Sequence, residues 1–133
     1  MILYLLDTDT CSYIAKRSRP SVVRRYDQLK SDEWAISAIN YAEILYGIEP
    51  FPPGHPLRIK VKAFLFSANV LDWPSSAAAA YADIKNRARQ QPVAEQDMLI
   101  AAHAIALDAT LVTNNTRHFG RMGRGLRFEN WLV

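Results

Sequence analysis

Short apolar runs alternate with longer amphipathic segments along the whole chain. The runs at residues 2–6, 34–37, 70–72 and 110–113 have the length of strands, and residues 126–133 read as a terminal strand with its tail. Between these runs, apolar residues recur at helical spacing, and prolines or turn residues mark the segment ends. The pattern predicts helices at residues 9–17, 20–30, 39–48, 56–66, 74–90 and 95–107.

Strands that are separated by helices predict a parallel sheet with helices on both faces. The expected fold class is therefore α/β, as a three-layer α/β/α domain with a mostly parallel central sheet. The sequence shows no linker and no internal repeat, and 133 residues are enough for one hydrophobic core. We expect a single domain that spans residues 1–133.

The composition narrows the class of protein. Half of the residues are hydrophobic and 22% are charged, which argues against disorder. No apolar run approaches the roughly 20 residues that a membrane helix needs, and the N-terminus does not resemble a secretory signal. With Cys11 as its single cysteine the chain forms no internal disulfide. These features predict a soluble cytoplasmic protein with no membrane partner.

The charge balance is mildly basic, with 16 Lys and Arg against 13 Asp and Glu. Basic residues gather at 16–19, at 24–25 and at 117–127, while several acids lie inside apolar segments. A solvated surface explains such charges by itself. The same distribution also suits a protein that attracts a polyanion and holds a metal ion.

Two acids follow the first apolar run, Asp7 and Asp9. Asp9 stands closer to the start of the predicted helix, so we assign the N-cap to Asp9. Asp7 is then left without a structural role. An acid at the carboxyl end of a buried parallel strand lies where open α/β sheets place their binding sites.

Two further acids occur in apolar helices. Glu43 lies in a mostly apolar helix. Its carboxylate either reaches solvent at the edge of the apolar face of this helix, or is buried and needs a paired charge or a metal ion. Asp97 lies in the first turn of another helix, where Asp ordinarily complements the helix dipole. If both converge with Asp7 on one crevice, the three carboxylates suit Mg²⁺ or Mn²⁺. Thr113, Asn114 and Asn115 lie at the end of a later strand, on the same predicted edge as Asp7. They are either plain turn residues or support for that cluster.

Four segments carry a resemblance to a known family: "LLDTD", "ISAINYAEILYGI", "DMLIAAHAIA" and "LVTNNTRHFGRMGRGLRFENW". In this order they resemble PIN-domain ribonucleases, in particular the VapC-type toxins of toxin–antitoxin pairs, over nearly the whole chain. The resemblance implies a PIN-like fold and a Mg²⁺- or Mn²⁺-dependent endoribonuclease that acts as the toxin of a type II toxin–antitoxin system. It also implies an RNA substrate and a cognate antitoxin protein as partners.

The resemblance carries site roles onto particular residues. It implies metal ligands at Asp7, Glu43 and Asp97, a fourth catalytic position at Asn115, and polar supports at Asn40 and Thr113. Many PIN domains have Asp at the fourth position, so Asn115 lowers the charge available to a second metal ion. Glu95 adds an acid beside Asp97, which we interpret as a helix-start charge rather than as an outer metal ligand.

The expected contacts to RNA are mainly with phosphates. The candidate phosphate contacts are Arg117, Arg121 and Arg124, followed by Lys16 and Arg17, although for any single one of these charges solubility is the better explanation. Tyr46, Trp73 and Trp131 are candidates for stacking on bases or for the core. His103 is expected to be a structural or a surface histidine and not a catalytic one.

Apolar residues on the segments 9–28 and 39–48, including Tyr13, Tyr26, Tyr41 and Tyr46, exceed what a small monomer needs to cover one sheet. Exposed apolar patches on such a domain mark partner sites. We expect a homodimer and a groove for an apolar antitoxin segment.

Two alternatives belong to other functional classes. "DTDT" also resembles the first motif of haloacid-dehalogenase-type phosphatases, in which Asp7 is a nucleophile and Asp9 the acid–base. That chemistry needs a downstream lysine and leaves Glu43 without a task. The second alternative is a non-catalytic PIN module that binds RNA or protein. Such a module is expected to have lost one of the metal-binding acids, whereas Asp7, Glu43 and Asp97 are all present here.

Overall fold

The computed structural model describes residues 1–120, 122 and 125–133. Five strands form one sheet in the order β3-β2-β1-β4-β5, and all four pairings are parallel. The strands are β1 (Tyr4–Leu6), β2 (Trp34–Ser37), β3 (Val70–Leu71), β4 (Thr110–Val112) and β5 (Arg127–Glu129). Every predicted strand is present, and β1 lies in the middle of the sheet.

Seven α-helices occur in the described residues. They are α1 (Thr8–Lys16), α2 (Pro20–Asp27), α3 (Ala38–Ile48), α4 (Pro56–Ser67), α5 (Ala78–Arg87), α6 (Glu95–Leu107) and α7 (Thr116–Phe119). The predicted helix 74–90 is shorter than expected, because a 3₁₀ turn at Ser75–Ala77 precedes α5. The short helix α7 was not predicted, since its four residues are too few to show a period.

Side chains of the strands alternate between the two faces of the sheet. Leu5, Ala35 and Leu111 pack into a core with α5, α6 and α7. Leu6, Ile36 and Val112 pack into a second core with α1, α2, α3 and α4. Both faces of the sheet are therefore covered, which confirms the three-layer α/β/α prediction.

The helix α1 begins directly after β1, at Thr8, one residue earlier than predicted. Its N-cap is Asp7, whose Oδ1 accepts a hydrogen bond from the backbone N–H of Thr10 at 2.9 Å. Asp9 lies in the first turn and is exposed. The assignment of the cap to Asp9 is wrong, because Asp7 is the one residue between β1 and α1 and its carboxylate caps the helix.

The start of α3 is connected to the middle of α6. Ser37 caps α3, since its Oγ accepts a hydrogen bond from the backbone N–H of Ile39 at 3.2 Å. The same oxygen lies 2.9 Å from Nδ1 of the fully buried His103. Burial lowers the pKa of His103 below its usual value, because the charged imidazolium is poorly solvated there. His103 thus has a structural position, the first of its two predicted alternatives.

Cys11 faces the core from α1 with 1% of its surface exposed. Its Sγ lies 3.9 Å from the carbonyl oxygen of Leu6. Burial raises the pKa of the thiol well above its ordinary value, because a thiolate is poorly solvated in this apolar site.

No helix among the described residues is both long and apolar enough to cross a bilayer.

Arg58 of α4 donates hydrogen bonds to backbone carbonyl groups at and after the carboxyl end of α3. Its Nη1 donates hydrogen bonds to the carbonyl oxygens of Phe51 at 2.9 Å, Ile48 at 3.1 Å and Glu49 at 3.4 Å. The last carbonyls of a helix have no partner within the helix, and a cation complements their partial negative charge. Arg58 therefore joins α4 to the helix that carries Asn40 and Glu43.

Replacing Arg58 with Met should lower the free energy of unfolding by about 1–3 kcal/mol, because charge-assisted hydrogen bonds to three carbonyls are lost. Urea denaturation followed by circular dichroism measures the change. Lys60→Met, an exposed cation on the same helix, is the matched control and should stay within about 0.5 kcal/mol of the parent. Equal losses in the two variants would contradict the bridging role of Arg58.

Candidate active site

A polar pocket of about 180 Å³ opens at the carboxyl edge of the sheet. It is lined by Asp7, Thr8, Asp9, Asn40, Glu43, Asp97, Ile100 and Asn115. The structure therefore brings together all four predicted catalytic positions and the predicted support Asn40. Thr8 and Ile100 were not predicted as site residues, and Thr8 had only its place beside Asp7 as a signal.

The topology explains why residues far apart in sequence meet here. The carboxyl ends of β1, β2 and β4 lie at one edge of the parallel sheet, and ligand sites of open α/β sheets form outside this edge. Asp7 follows β1 directly, and α3 follows β2 and presents Asn40 and Glu43 in its first half. Asn115 follows β4, and Asp97 lies in the first turn of α6.

The carboxylate of Asp7 is the most buried acid of the pocket, with 9% of the residue exposed. Burial raises the pKa of Asp7 above its usual value, because the charged form loses hydration. Hydrogen bonds from Thr113 and Thr10 act in the opposite direction, and the nearby charge of Asp9 raises the pKa further. Asp7 is therefore held by two threonines in a site that favours a compensating positive charge.

Asn40 is buried beside Asp7 with an unsatisfied acceptor. Its Nδ2 donates a hydrogen bond to Thr8 Oγ1 at 2.9 Å, which fixes the plane of the amide. Its Oδ1 is buried and has no hydrogen-bond partner among the described residues. A buried carbonyl oxygen without a partner costs free energy, so this atom is suited to accept from a water or to face a cation.

The fourth position is supported by the turn after β4. The backbone N–H of Asn115 donates a hydrogen bond to Thr113 Oγ1 at 3.0 Å, and Thr113 is fully buried. The Nδ2 of Asn115 lies 3.5 Å from Oδ2 of Asp97. An amide donor in this place can orient the carboxylate of Asp97, whereas an Asp would repel it.

The donor set of the pocket consists of oxygen atoms, which suit hard cations such as Mg²⁺. In the part of the chain that the structure describes, no three His, Cys, Asp or Glu side chains are arranged to hold a metal ion by themselves. Mg²⁺ usually keeps several of its waters and binds proteins through one or two carboxylates. The pocket thus fits a hydrated cation better than a closed cage of protein ligands.

The other predicted charges lie away from this pocket or outside the described residues. Glu95 begins α6 and contacts Tyr81 and, at 3.4 Å, Lys85, which favours the helix-start interpretation. Arg17 forms an ion pair with Asp27 at 2.8 Å. The remaining candidates are Arg117, which is exposed on α7, Lys16, which lines a neighbouring groove together with Glu43, and Arg121 and Arg124, which lie outside the described residues.

The three aromatic residues that were stacking candidates have different environments. Trp131 is buried against Tyr4, with ring centroids 5.4 Å apart, and belongs to the core. Trp73 is half-buried and donates its indole N–H to the carbonyl oxygen of Leu99 at 2.8 Å. Tyr46 is 82% exposed on α3. Of the three, the buried Trp131 is therefore excluded from contact with a base.

An apolar groove of about 270 Å³ runs between α1, α3 and α4 beside the polar pocket, and Thr8 and Glu43 line both. Tyr13, Tyr26 and Tyr41 pack partly buried against the core, so they add less exposed apolar surface than their sequence pattern indicated. On α4, Ile59 and Phe66 are exposed, one two turns from the other on the same face. This exposed stripe was not predicted.

The chain is similar to known proteins over nearly its whole length. The family model of the PIN domain matches residues 4–125. The tRNA(fMet)-specific endonuclease VapC of Shigella flexneri is 34% identical over 133 residues, which cover 98% of this chain and 99% of that protein.

Two solved structures are similar over the same length. One is the crystal structure of VapBC2 from Rickettsia felis, bound to a DNA fragment from the promoter of VapBC2. A chain of this structure is 32% identical, with a TM-score of 0.84. The structure of DNA-bound VapBC from Salmonella typhimurium has a chain with a TM-score of 0.85 and 32% identity. In both, the match covers 98% of this chain and 99% of the other. The chain therefore belongs to the PIN-domain family, within its VapC branch.

Proposed function

We propose that this protein is an endoribonuclease that hydrolyses RNA with a divalent cation, Mg²⁺ or Mn²⁺, which Asp7, Glu43 and Asp97 hold together with part of its hydration shell. The observation that carries the proposal is the meeting of these three carboxylates, from β1, α3 and α6, in one pocket of about 180 Å³. The names of its relatives support the activity class, since the proteins at 34% identity include an endonuclease named for tRNA(fMet).

The residues around the three acids suit such a cation. A cation near Asp7 would compensate the charge that burial disfavours, and Asn40 Oδ1 offers a further oxygen. When bound, the cation would lower the pKa of a bound water and neutralise charge on the scissile phosphate. With Asn115 in place of an acid, the pocket has less negative charge for a second cation.

The roles of the chain's own groups follow from their contacts. Thr10 and Thr113 hold the Asp7 carboxylate, and Asn115 orients that of Asp97. Glu43, which is half-buried and lines the pocket, is placed where it could also orient the attacking water for in-line attack on phosphorus. No histidine lines the pocket in the described part of the chain.

The biological setting extends this proposal. The solved relatives are VapBC complexes, which supports a role as the toxin of a toxin–antitoxin pair that acts in the cytoplasm. The apolar groove beside Glu43 is suited to an antitoxin segment, and the exposed apolar side chains Tyr46, Ile59 and Phe66 are suited to a homodimer or to the same partner. Arg117 remains the first described candidate for a phosphate contact.

The phosphatase alternative is less well supported by the pocket. That chemistry requires a lysine near the nucleophile, and among the described residues no lysine lines the pocket. Asp7 also accepts a cap hydrogen bond and is 9% exposed, which restricts its approach to a substrate as a nucleophile. A non-catalytic binding module would not need three acids in one buried site.

Cleavage of single-stranded RNA should stop in a chelator and return when Mg²⁺ or Mn²⁺ is added in excess, because the carboxylates cannot activate water without the cation. A gel assay of a labelled oligonucleotide measures this. Ca²⁺, which is larger and less strict in geometry, serves as the control ion and should restore less activity. Unchanged cleavage in chelator would exclude the metal mechanism.

Asp7→Asn separates the two roles of Asp7. Asn can keep the cap, because its Oδ1 also accepts from the Thr10 N–H, and it removes a buried charge whose pKa is raised. A carboxyl with a raised folded-state pKa costs stability as pH rises through that pKa, so near pH 7 the metal-free variant should melt at the same or a higher temperature than the parent. It should gain less from Mg²⁺ and lose cleavage by more than about 100-fold.

Asp9→Asn is the matched control for this experiment. It removes an exposed acid that lies two residues after Asp7, in the first turn of α1. Most RNA cleavage and most of the stabilisation by Mg²⁺ should therefore remain. The phosphatase alternative requires the opposite, since Asp9 would then be the acid–base. An Asp7→Asn protein that cleaves RNA at nearly the parental rate would reduce Asp7 to a helix cap.

A further inference from the structure

Another concave surface lies between the carboxyl end of α5 and the start of α6. Its volume is about 590 Å³, and we call it the α5–α6 pocket. Met98 lines this pocket, while its neighbour Asp97 lines the candidate active site. Successive residues of a helix point about 100° apart, at 3.6 residues per turn. The two cavities therefore adjoin the same turn of α6 on different sides.

The charged side chains that line the α5–α6 pocket are both cations, Lys85 and Arg89. Lys85 lies 3.4 Å from Glu95, in a pair in which both side chains are at least half exposed. Lys85 Nζ also donates to the Tyr81 hydroxyl at 3.1 Å. Such exposed contacts contribute little, so Lys85 can exchange Glu95 for a phosphate at small cost. Arg89 uses Nε for a hydrogen bond to Asn86 Oδ1 at 2.7 Å, and its guanidinium has four further N–H donors.

The remaining lining suits a planar ring with polar edges. Ala88 and Val93 are half-buried and Met98 is buried, which makes an apolar floor. Tyr81 and the amide of Asn86 stand beside the two cations. Nucleobases combine an apolar face with hydrogen-bonding edges and are joined to phosphates, and proteins bind them in single strands by stacking and amide contacts.

We propose that the α5–α6 pocket binds one nucleotide of single-stranded RNA that flanks the scissile phosphate. Its base lies on Ala88, Val93 and Met98, and its phosphate contacts Lys85 and Arg89. This inference rests on the proposed function, because it treats the bound strand as the one whose phosphate enters the polar pocket. The position of the pocket one residue from Asp97 makes it a determinant of which sequence is cut.

The first test measures RNA binding without cleavage. A fluorescent single-stranded oligonucleotide is titrated with protein in chelator, over a series of salt concentrations. Lys85→Ala/Arg89→Ala should weaken binding on the order of tenfold and reduce the slope of log affinity against log salt by about 1.4, or about 0.7 for each lost phosphate contact. Thermal melts verify that each variant is folded.

Lys60→Ala/Lys62→Ala is the matched control, since it removes two exposed cations from α4. It should change the affinity by less than about twofold and leave most of the salt slope. Equal weakening by the two double variants would overturn the proposal in favour of non-specific attraction. Parental affinity in Lys85→Ala/Arg89→Ala would overturn it as well.

The second test uses the unchanged protein. Backbone amide resonances of a ¹⁵N-labelled sample are followed while the four nucleoside monophosphates are added in chelator. Ala88, Val93 and Met98 should shift, more with one base than with the others, and inorganic phosphate at the same concentration should shift them less, because it fills only the part of the site beside Lys85 and Arg89. Absence of shifts, or equal shifts with phosphate alone, would overturn the base site.

The failure of the inference can be told from failure of the proposed function. A protein that cuts RNA with Mg²⁺, while the pocket variant binds and cuts like the parent, contradicts only the α5–α6 pocket. A protein that binds RNA through Lys85 and Arg89 but does not cut it with any divalent cation contradicts the nuclease proposal and leaves a binding site.

Discussion

The burial of a carboxylate at the end of the middle strand is the constraint on which the site depends. Asp7 follows β1, which has strands on both sides, so its side chain loses hydration that an edge strand would allow. An isolated buried carboxylate is expensive, and it persists only where hydrogen bonds or a positive charge compensate it. Thr10 and Thr113 supply part of this compensation. The part of the burial cost that these hydrogen bonds do not offset is the physical reason to expect a cation.

The same residue couples the site to folding. Because Asp7 ends a strand and caps α1, the backbone conformation that starts the helix also determines the direction of the carboxylate. Glu43 and Asp97 are held less directly, through the helices that carry them. The Ser37–His103 contact joins the start of α3 to α6, and Arg58 joins the end of α3 to α4. The distance between Glu43 and Asp97 therefore depends on core contacts that touch neither acid.

Much of the fold is encoded locally and could be predicted. Apolar runs of strand length, separated by helical periods, have few arrangements other than a parallel sheet with two helical layers, and the bounds of α6 agree with its strong apolar pattern. The cap of α1 was predicted wrongly because it lies two residues earlier, at Asp7 instead of Asp9, and periodicity does not fix a helix start to within two residues. The division of residues 74–90 into a 3₁₀ turn and α5 was missed for the same reason.

The candidate site was predictable in its members but not in its shape. Asp7, Glu43 and Asp97 were named because carboxylates next to or within apolar segments need a reason, whereas Asn40 and the catalytic role of Asn115 were implied by the resemblance to PIN-domain ribonucleases. Whether their oxygens approach each other depends on the order of the strands and the tilt of the helices. The sequence of a single segment carries no information about either. Tyr13, Tyr26 and Tyr41 illustrate the same limit, since an amphipathic pattern does not show which aromatic ring a neighbouring helix will cover. The α5–α6 pocket arises from a connection without periodicity, and so had no signal.

The environment of Cys11 has a practical consequence for chemical labelling. Its thiol is 1% exposed and its pKa is raised, so the nucleophilic thiolate is scarce and inaccessible in the folded protein. A cysteine introduced on an exposed helix face would thus be the one that reacts with maleimide or disulfide reagents, and the native residue would not need to be removed. Fluorophores or spin labels can be attached at a chosen point of this chain while the core beneath α1 stays as it is.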